Sequence, residues 1–193
     1  MGMDKDADQL YIDKVLKGDA NAFAFLIDKY KNMTYTLAMK IVKNHEDAEE
    51  VAQDSFLKAY QKMDTFQGKS KFSTWLYTIV YRNAITKVRK KRVETSGIDD
   101  YVINNHSDDL EFPQMEALKN GEQQKYVRQA INNLPEKDGF LITLYYMNEN
   151  TIEEIQHITD LTLSNIKVKL FRARKKLNAE LSLLLNEEIK SIL

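Results

Sequence analysis

Residues 66–92 read FQGKSKFSTWLYTIVYRNAITKVRKKR, and the fold of the chain turns on this stretch. A glycine-containing loop, Phe66 to Phe72, leads into a segment where Phe72, Leu76, Val80, Ala84 and Val88 recur at every fourth position, with Trp75 and Ile79 on the adjoining row. That period marks one face of a long amphipathic helix. At about 100° per residue, the stripe of Phe72, Leu76 and Ile79 lies on one side and Thr74, Tyr77, Tyr81 and Arg89 on the other. Tyr77 and Tyr81 are therefore expected as exposed rings among threonines and cations. The helix ends in Arg89-Lys-Lys-Arg92; six cations fall between Arg82 and Arg92, and no acid stands between Asp64 and Glu94. Cations hold phosphates while flat rings stack on bases, so the mixture suits single-stranded or distorted nucleic acid better than intact duplex. Plainer readings stand beside this one. Trp75 lies on the apolar side, as core or as core and site together. Tyr77 and Tyr81 also fit as ordinary half-buried residues, and a basic helix end complements the helix dipole. Six cations without an acid exceed what the dipole calls for.

Working outward, 193 residues accommodate one domain or two small ones. The net charge of −1 hides a segregated distribution. Acids gather at Glu46, Asp47, Glu49, Glu50 and Asp54 and again from Glu94 to Glu116, whereas cations gather at Arg82 to Arg92 and at Lys167, Lys169, Arg172, Arg174, Lys175 and Lys176. Two basic patches on a near-neutral chain point to polyanion contacts at particular places. The absence of cysteine excludes disulfides, thiolate catalysis and Cys-based zinc sites, and fits a reducing cytoplasm. No signal peptide and no apolar run long enough for a bilayer are seen, so membrane insertion is not expected.

Two prolines, six glycines and abundant Lys, Glu, Leu and Ala predict an all-α chain of two small helical domains. The first eight residues are polar and read as a frayed end. A short helix is expected from about Leu10 to Lys17, stopping at Gly18, and Asp19 caps a second carrying Phe23, Leu26, Ile27, Tyr30, Leu37, Ala38, Ile41 and Val42. A third starts around Asp47 and buries Ala48, Val51, Ala52, Phe56 and Ala59. Its opposite face shows Glu50, Gln53, Asp54 and Leu57, the composition of a partner surface. Residues 93–120 are acidic, aperiodic and contain Gly97 and Pro113, so they read as a flexible acidic linker between a domain at 1–92 and another at 121–193.

The second domain opens with a helix from about Glu122 to Asn133. Pro135 is expected in the first turn of the next helix, with Phe140, Leu141, Leu144 and Tyr145 inward. Thr151-Ile-Glu-Glu154 has capping-box spacing, Asp160 stands at the turn, and Thr162 caps a final basic helix with core stripe Ile166, Leu170, Ala173 and Leu177. This is a helix-turn-helix pattern. With that stripe inward, Ser164, Val168, Phe171 and Arg172 face out, flanked by Asn165 and Lys167 and continued by Lys175. Arg172 has the geometry to read a guanine, Val168 and Phe171 to touch thymine methyls, and the lysines to hold phosphates. An apolar stripe of Leu181, Leu184, Leu185, Ile189 and Ile192 continues beyond it.

Asp47-Ala-Glu-Glu-Val-Ala-Gln-Asp54, then Phe66-Gln-Gly-Lys-Ser-Lys-Phe-Ser-Thr-Trp-Leu-Tyr77, then Leu134-Pro-Glu136 and Phe171-Arg-Ala-Arg174 resemble, in that order, the small two-domain sigma factors of bacterial RNA polymerase, the extracytoplasmic-function group. The resemblance covers roughly Leu10 to Leu181. It implies a promoter-specificity subunit without catalytic residues, cofactor, metal or small-molecule substrate. Its implied partners are promoter DNA, core RNA polymerase (the clamp helices of the largest subunit, and the flap) and an anti-sigma factor. On this resemblance Asp47, Glu50, Gln53, Asp54 and Leu57 dock on polymerase. Lys69, Ser70 and Phe72 belong to a pocket for a base extruded from the minus-ten element, a step costing a few kcal/mol in lost stacking and pairing. Arg82 and Asn83 recognise that element, although Asn83 falls on the apolar side where it can instead satisfy a neighbouring helix. Arg89, Lys90 and Arg92 hold phosphates, and the last helix reads the minus-thirty-five element. The chain departs from the pattern at Asp160, where glycine is common, and at the cap Thr162. Two other functions compete: a stand-alone helix-turn-helix regulator, which has no need of the 66–92 segment, and a metalloenzyme around His45, Glu46, Glu49 and Glu50, which lacks a second histidine at ligand spacing.

Overall fold

The structure is a computed structural model, and it describes residues 3–95 and 121–192. Every regular element among these is helical. The chain divides into two compact units, the first ending and the second beginning between residues 95 and 121.

In the first unit α1 (Met3–Leu16) is followed by a 3-10 turn (Ala20–Ala22), α2 (Phe23–Val42), α3 (His45–Gln61), a second 3-10 turn (Met63–Thr65) and α4 (Phe72–Thr95). The expected frayed end is corrected here. Helix α1 begins at Met3, and Asp8 is only 6% exposed because Tyr30 Oη (2.6 Å) and Lys29 Nζ (2.8 Å) both donate to its carboxylate. A polar sequence concealed an anchor. Gly18, at φ +98°, closes α1, and Asp19 accepts from Asn21 N at 3.1 Å to start the 3-10 turn that leads into α2. Lys43 takes the left-handed conformation after α2, and Asn44 caps α3 by accepting from Asp47 N at 2.9 Å. Helix α3 therefore starts two residues before Asp47.

Helices α2, α3 and α4 pack mutually. Leu26, Leu37, Ala38 and Ile41 of α2, Ala48, Val51, Ala52, Phe56 and Ala59 of α3, and Phe72, Leu76, Val80 and Ala84 of α4 are all buried. Ile27, expected inside, is exposed. The larger correction concerns α4. Tyr77 is 1% exposed and Thr74 is equally buried, so one of the two supposed exposed rings is core. Helix α4 meets two neighbours at once, which widens its buried arc beyond the single stripe that periodicity picks out, and Tyr77 meets Tyr30 edge to face at 6.3 Å. Tyr81 is half-buried.

The second unit contains α5 (Gly121–Asn133), α6 (Glu136–Ile142), α7 (Ile152–Thr159) and α8 (Leu163–Ile192). Helices α5 and α6 lie against α8. Asn133 Nδ2 donates to Glu180 (3.1 Å) and Lys176 Nζ to Asp138 (2.6 Å) across these contacts. Pro135 precedes α6 as its extended cap residue, one position before the expected first turn. After Ile142 the chain widens into a π turn at Thr143–Met147, with Asn148 N bonded to Thr143 O. This turn leaves Tyr145 half-buried where the sequence placed it inward. Residues 93–95 continue α4, so the linker expected from 93 begins later; its remainder, 96–120, lies outside the described residues.

Candidate functional site

The loop at 66–71 hangs between two aromatic supports. Phe66 packs against Phe72 (5.8 Å) and Trp75 (5.4 Å), and Phe72 meets Trp75 at 5.7 Å and Tyr30 at 5.6 Å. This cluster pins both ends of the loop to the bundle. Gly68 supplies the left-handed turn at φ +66°, where a side chain would be strained. Lys69 and Lys71 are exposed, while Ser70 is half-buried and its hydroxyl donates to Lys71 O at 3.3 Å. Phe72 itself is 2% exposed. Of the three residues assigned to a base pocket, Lys69 is exposed and Ser70 half-buried, while Phe72 is part of the aromatic cluster. Phe66 and the half-buried Trp75 belong to the same cluster; an aromatic on each side of a Gly-containing loop was the signal for Phe66.

Beyond the loop, α4 carries Arg82 on an exposed position, followed by exposed Arg89 and Lys90. Arg92 lies within the helix, with its side chain outside the described set. Asn83 has both ends of its amide engaged: Nδ2 donates to Ser55 Oγ (2.9 Å) and Oδ1 accepts from Lys58 Nζ (2.7 Å). It ties α4 to α3, as its place on the apolar side allowed. The remaining cations of the run behave differently. Lys91 pairs with Asp47 at 2.9 Å, and Lys87 reaches Glu50 at 2.6 Å and Asp47 at 3.4 Å. The Lys91 hydrogen bond holds the Asp47 carboxyl below the usual carboxylate range, and the Glu50 hydrogen bond raises the Lys87 ammonium. The sequence reading missed this pairing. Its signal was the match between acids three apart on α3 and lysines four apart on α4.

On α3 the pairing divides the expected partner face. Asp47 and Glu50 are tied to α4, whereas Gln53, Asp54 and Leu57 are exposed, Leu57 by 56%. Exposed Tyr60 extends the stripe and rests on Phe23 at 5.2 Å.

In the second unit, Thr151 Oγ1 accepts from Glu154 N (3.1 Å) and the Glu154 carboxylate accepts from Thr151 N (3.0 Å), the complete capping box. Asp160 makes the turn at φ +58°, and Thr162 accepts from Asn165 N at 3.3 Å. Ile166, Leu170, Ala173 and Leu177 are buried, which turns Ser164, Lys167, Arg172 and Lys175 to solvent, with Val168 and Phe171 half-buried beside them. Lys175 Nζ stands 4.5 Å over the Phe171 ring, so that ring is covered by a cation. The six residues share one cationic, largely solvent-facing surface with apolar patches.

The Sigma-70 region 2 family profile matches residues 26–94, and the Sigma-70 region 4 profile matches residues 124–177. The ECF RNA polymerase sigma factor SigW of Bacillus subtilis is 33% identical over 177 residues, spanning 88% of this chain and 94% of that protein. The ECF RNA polymerase sigma-E factor of Haemophilus influenzae is 31% identical over 175 residues, 87% of this chain and 92% of that protein. Among solved structures, the sigma factor RpoE from Bartonella quintana, determined in complex with the anti-sigma factor NepR, has the same fold. Its TM-score is 0.62 at 22% identity, covering 83% of this chain and 96% of that one.

Proposed function

The chain belongs to the ECF sigma factors of RNA polymerase, which direct promoter-specific transcription initiation, and on that premise we propose how its own residues divide the work. Residues 1–92 bind core polymerase and open the minus-ten element, residues 93–120 link, and residues 121–193 read the minus-thirty-five element. The observation that carries this is the order of the two matched regions, each with a solvent-facing cationic surface on its own helix. A stand-alone regulator leaves the region 2 match and the aromatic-walled loop without a purpose.

On α3, Gln53, Asp54 and Leu57 are the centre of the polymerase contact, and Tyr60 adds an aromatic anchor of the kind interfaces favour. The loop from Phe66 holds an extruded base over Ser70, with Lys69 on its phosphate, while Arg82, Arg89, Lys90 and Arg92 hold the backbone beyond. In α8, Arg172 reads a base edge, Val168 and Phe171 make apolar contacts, and Ser164, Lys167 and Lys175 fix the register on phosphates. The protein acts by binding, with no chemistry of its own, and works in the cytoplasm where polymerase is. Each recognition face carries exposed cations within its own unit. An anti-sigma factor that covers them is the natural regulator; RpoE of Bartonella quintana is found in complex with the anti-sigma factor NepR.

Run-off transcription with core polymerase on genomic DNA tests the reading. The wild-type chain is expected to create new start sites; Arg172→Ala is expected to lower them about tenfold or more, in line with about 1–3 kcal/mol for a bidentate base contact. No new start site with the wild-type chain would reject the function.

A further inference from the structure

We propose that Asp47, Glu50, Lys87 and Lys91 form an internal ionic clamp that aims the basic end of α4, and that neither lysine of the clamp meets DNA phosphate. The proposal rests on α4 being the promoter-opening helix described above.

Lys87 and Lys91 stand one turn apart on one face of α4, and Asp47 and Glu50 one turn apart on the facing side of α3. Asp47 is shared: Lys91 reaches one carboxylate oxygen at 2.9 Å and Lys87 the other at 3.4 Å, while Lys87 also donates to Glu50 at 2.6 Å. An isolated surface pair contributes little, but here a carboxylate only 16% exposed is gripped from two turns of the neighbouring helix. To reach a phosphate, either lysine would have to surrender a short charged hydrogen bond. Asn83 adds a neutral tie between the same two helices through Ser55 and Lys58.

Helical geometry gives the clamp its purpose. Lys91 points at α3, so Arg89, displaced from it by about 200° around the axis, points away from α3, while Lys90, displaced by about 100°, projects to the side; both are exposed. Without the clamp, the last turns of α4 keep their charges but lose the direction in which they are presented. Of the six cations between Arg82 and Arg92, two are thus paired with acids of α3. The polymerase face correspondingly loses Asp47 and Glu50 and begins at Gln53.

Promoter binding by reconstituted holoenzyme, measured against salt concentration, separates the roles. Each lost phosphate contact reduces the slope of log affinity against log salt by about 0.9. Arg89→Ala and Lys90→Ala are expected to lower the slope by about that amount, whereas Lys87→Met and Lys91→Met leave the slope unchanged and lower occupancy several-fold at every salt concentration. A slope reduced by Lys87→Met or Lys91→Met as much as by Arg89→Ala overturns the proposal. Charge exchange provides the second readout: Lys91→Glu is expected to lose occupancy, and Asp47→Lys added to it to restore it, which a missing phosphate contact would not permit. Failure of the exchange to restore occupancy also overturns the clamp. Should Arg89→Ala and Lys90→Ala leave the slope untouched while the exchange restores occupancy, the clamp stands and the phosphate role given to those two residues falls instead.

Discussion

Thr34 and Thr74 carry hydroxyl groups that are buried in the first unit without a hydrogen-bond partner. A buried hydroxyl without a partner is destabilising, and valine has nearly the same shape without the polar atom. Thr34→Val and Thr74→Val are each expected to raise stability by about 1 kcal/mol in urea unfolding. Lys40 has a different cost. It is 7% exposed on α2, and burial, reinforced by the neighbouring Lys43 charge, pushes its ammonium down to about 8 from 10.5. Between those values the unfolded chain binds the proton that the folded chain has released, so stability rises with pH from about 8 toward 10.5, and below 8 the penalty is fully present. Unfolding at pH 7 and pH 9.5 is expected to show this gain in the wild type and its loss in Lys40→Met. Neither feature was legible in the sequence. Threonine and lysine read as surface residues, and only the meeting of three helices made these positions interior.

At the scale of the element, the caps were the most legible part of the chain, because a cap depends on a few neighbouring residues. Gly18, Thr151 with Glu154, Asp160 and Thr162 all do what local chemistry dictates. Thr151→Ala is expected to cost about 1 kcal/mol in thermal unfolding, whereas Thr151→Ser retains most of it. The reading face of α8 was legible for a related reason. One apolar stripe, Ile166, Leu170, Ala173 and Leu177, is buried, so the opposite face follows from rotation alone. Helix α4 defeats the same procedure. Two partners bury it, and Tyr77 left the face to which a single stripe assigned it. The α1 start was missed because Asp8 anchors through Tyr30 and Lys29, more than 20 positions away, and no local pattern announces a long-range bond.

For the whole molecule, the segregation of charge matters more than the net of −1. Acidic and amide side chains with Leu57 occupy α3, and cations occupy the loop, α4 and α8. Under the proposed assignment, polymerase contact and promoter contact are expected to be separable by mutation. Leu57→Glu is expected to abolish co-elution with core polymerase. Arg172→Ala is expected to co-elute normally and to lose promoter occupancy, as read by footprinting of the holoenzyme. The charge blocks were legible in the sequence, but the pairing of two lysines of the basic block with acids of α3 was not. Counting cations along the chain overstates the unpaired positive charge, since the pairs form between residues about 40 positions apart.

Helix α8 runs unbroken from Leu163 to Ile192, so the reading surface and the tail beyond it are turns of a single rod. Ser182, exposed on that rod, lies ten residues past Arg172, about 15 Å along the axis. A spectroscopic label there would travel rigidly with the reading surface without touching it. The tail thus provides a built-in pointer for following how that helix tilts as a promoter is engaged.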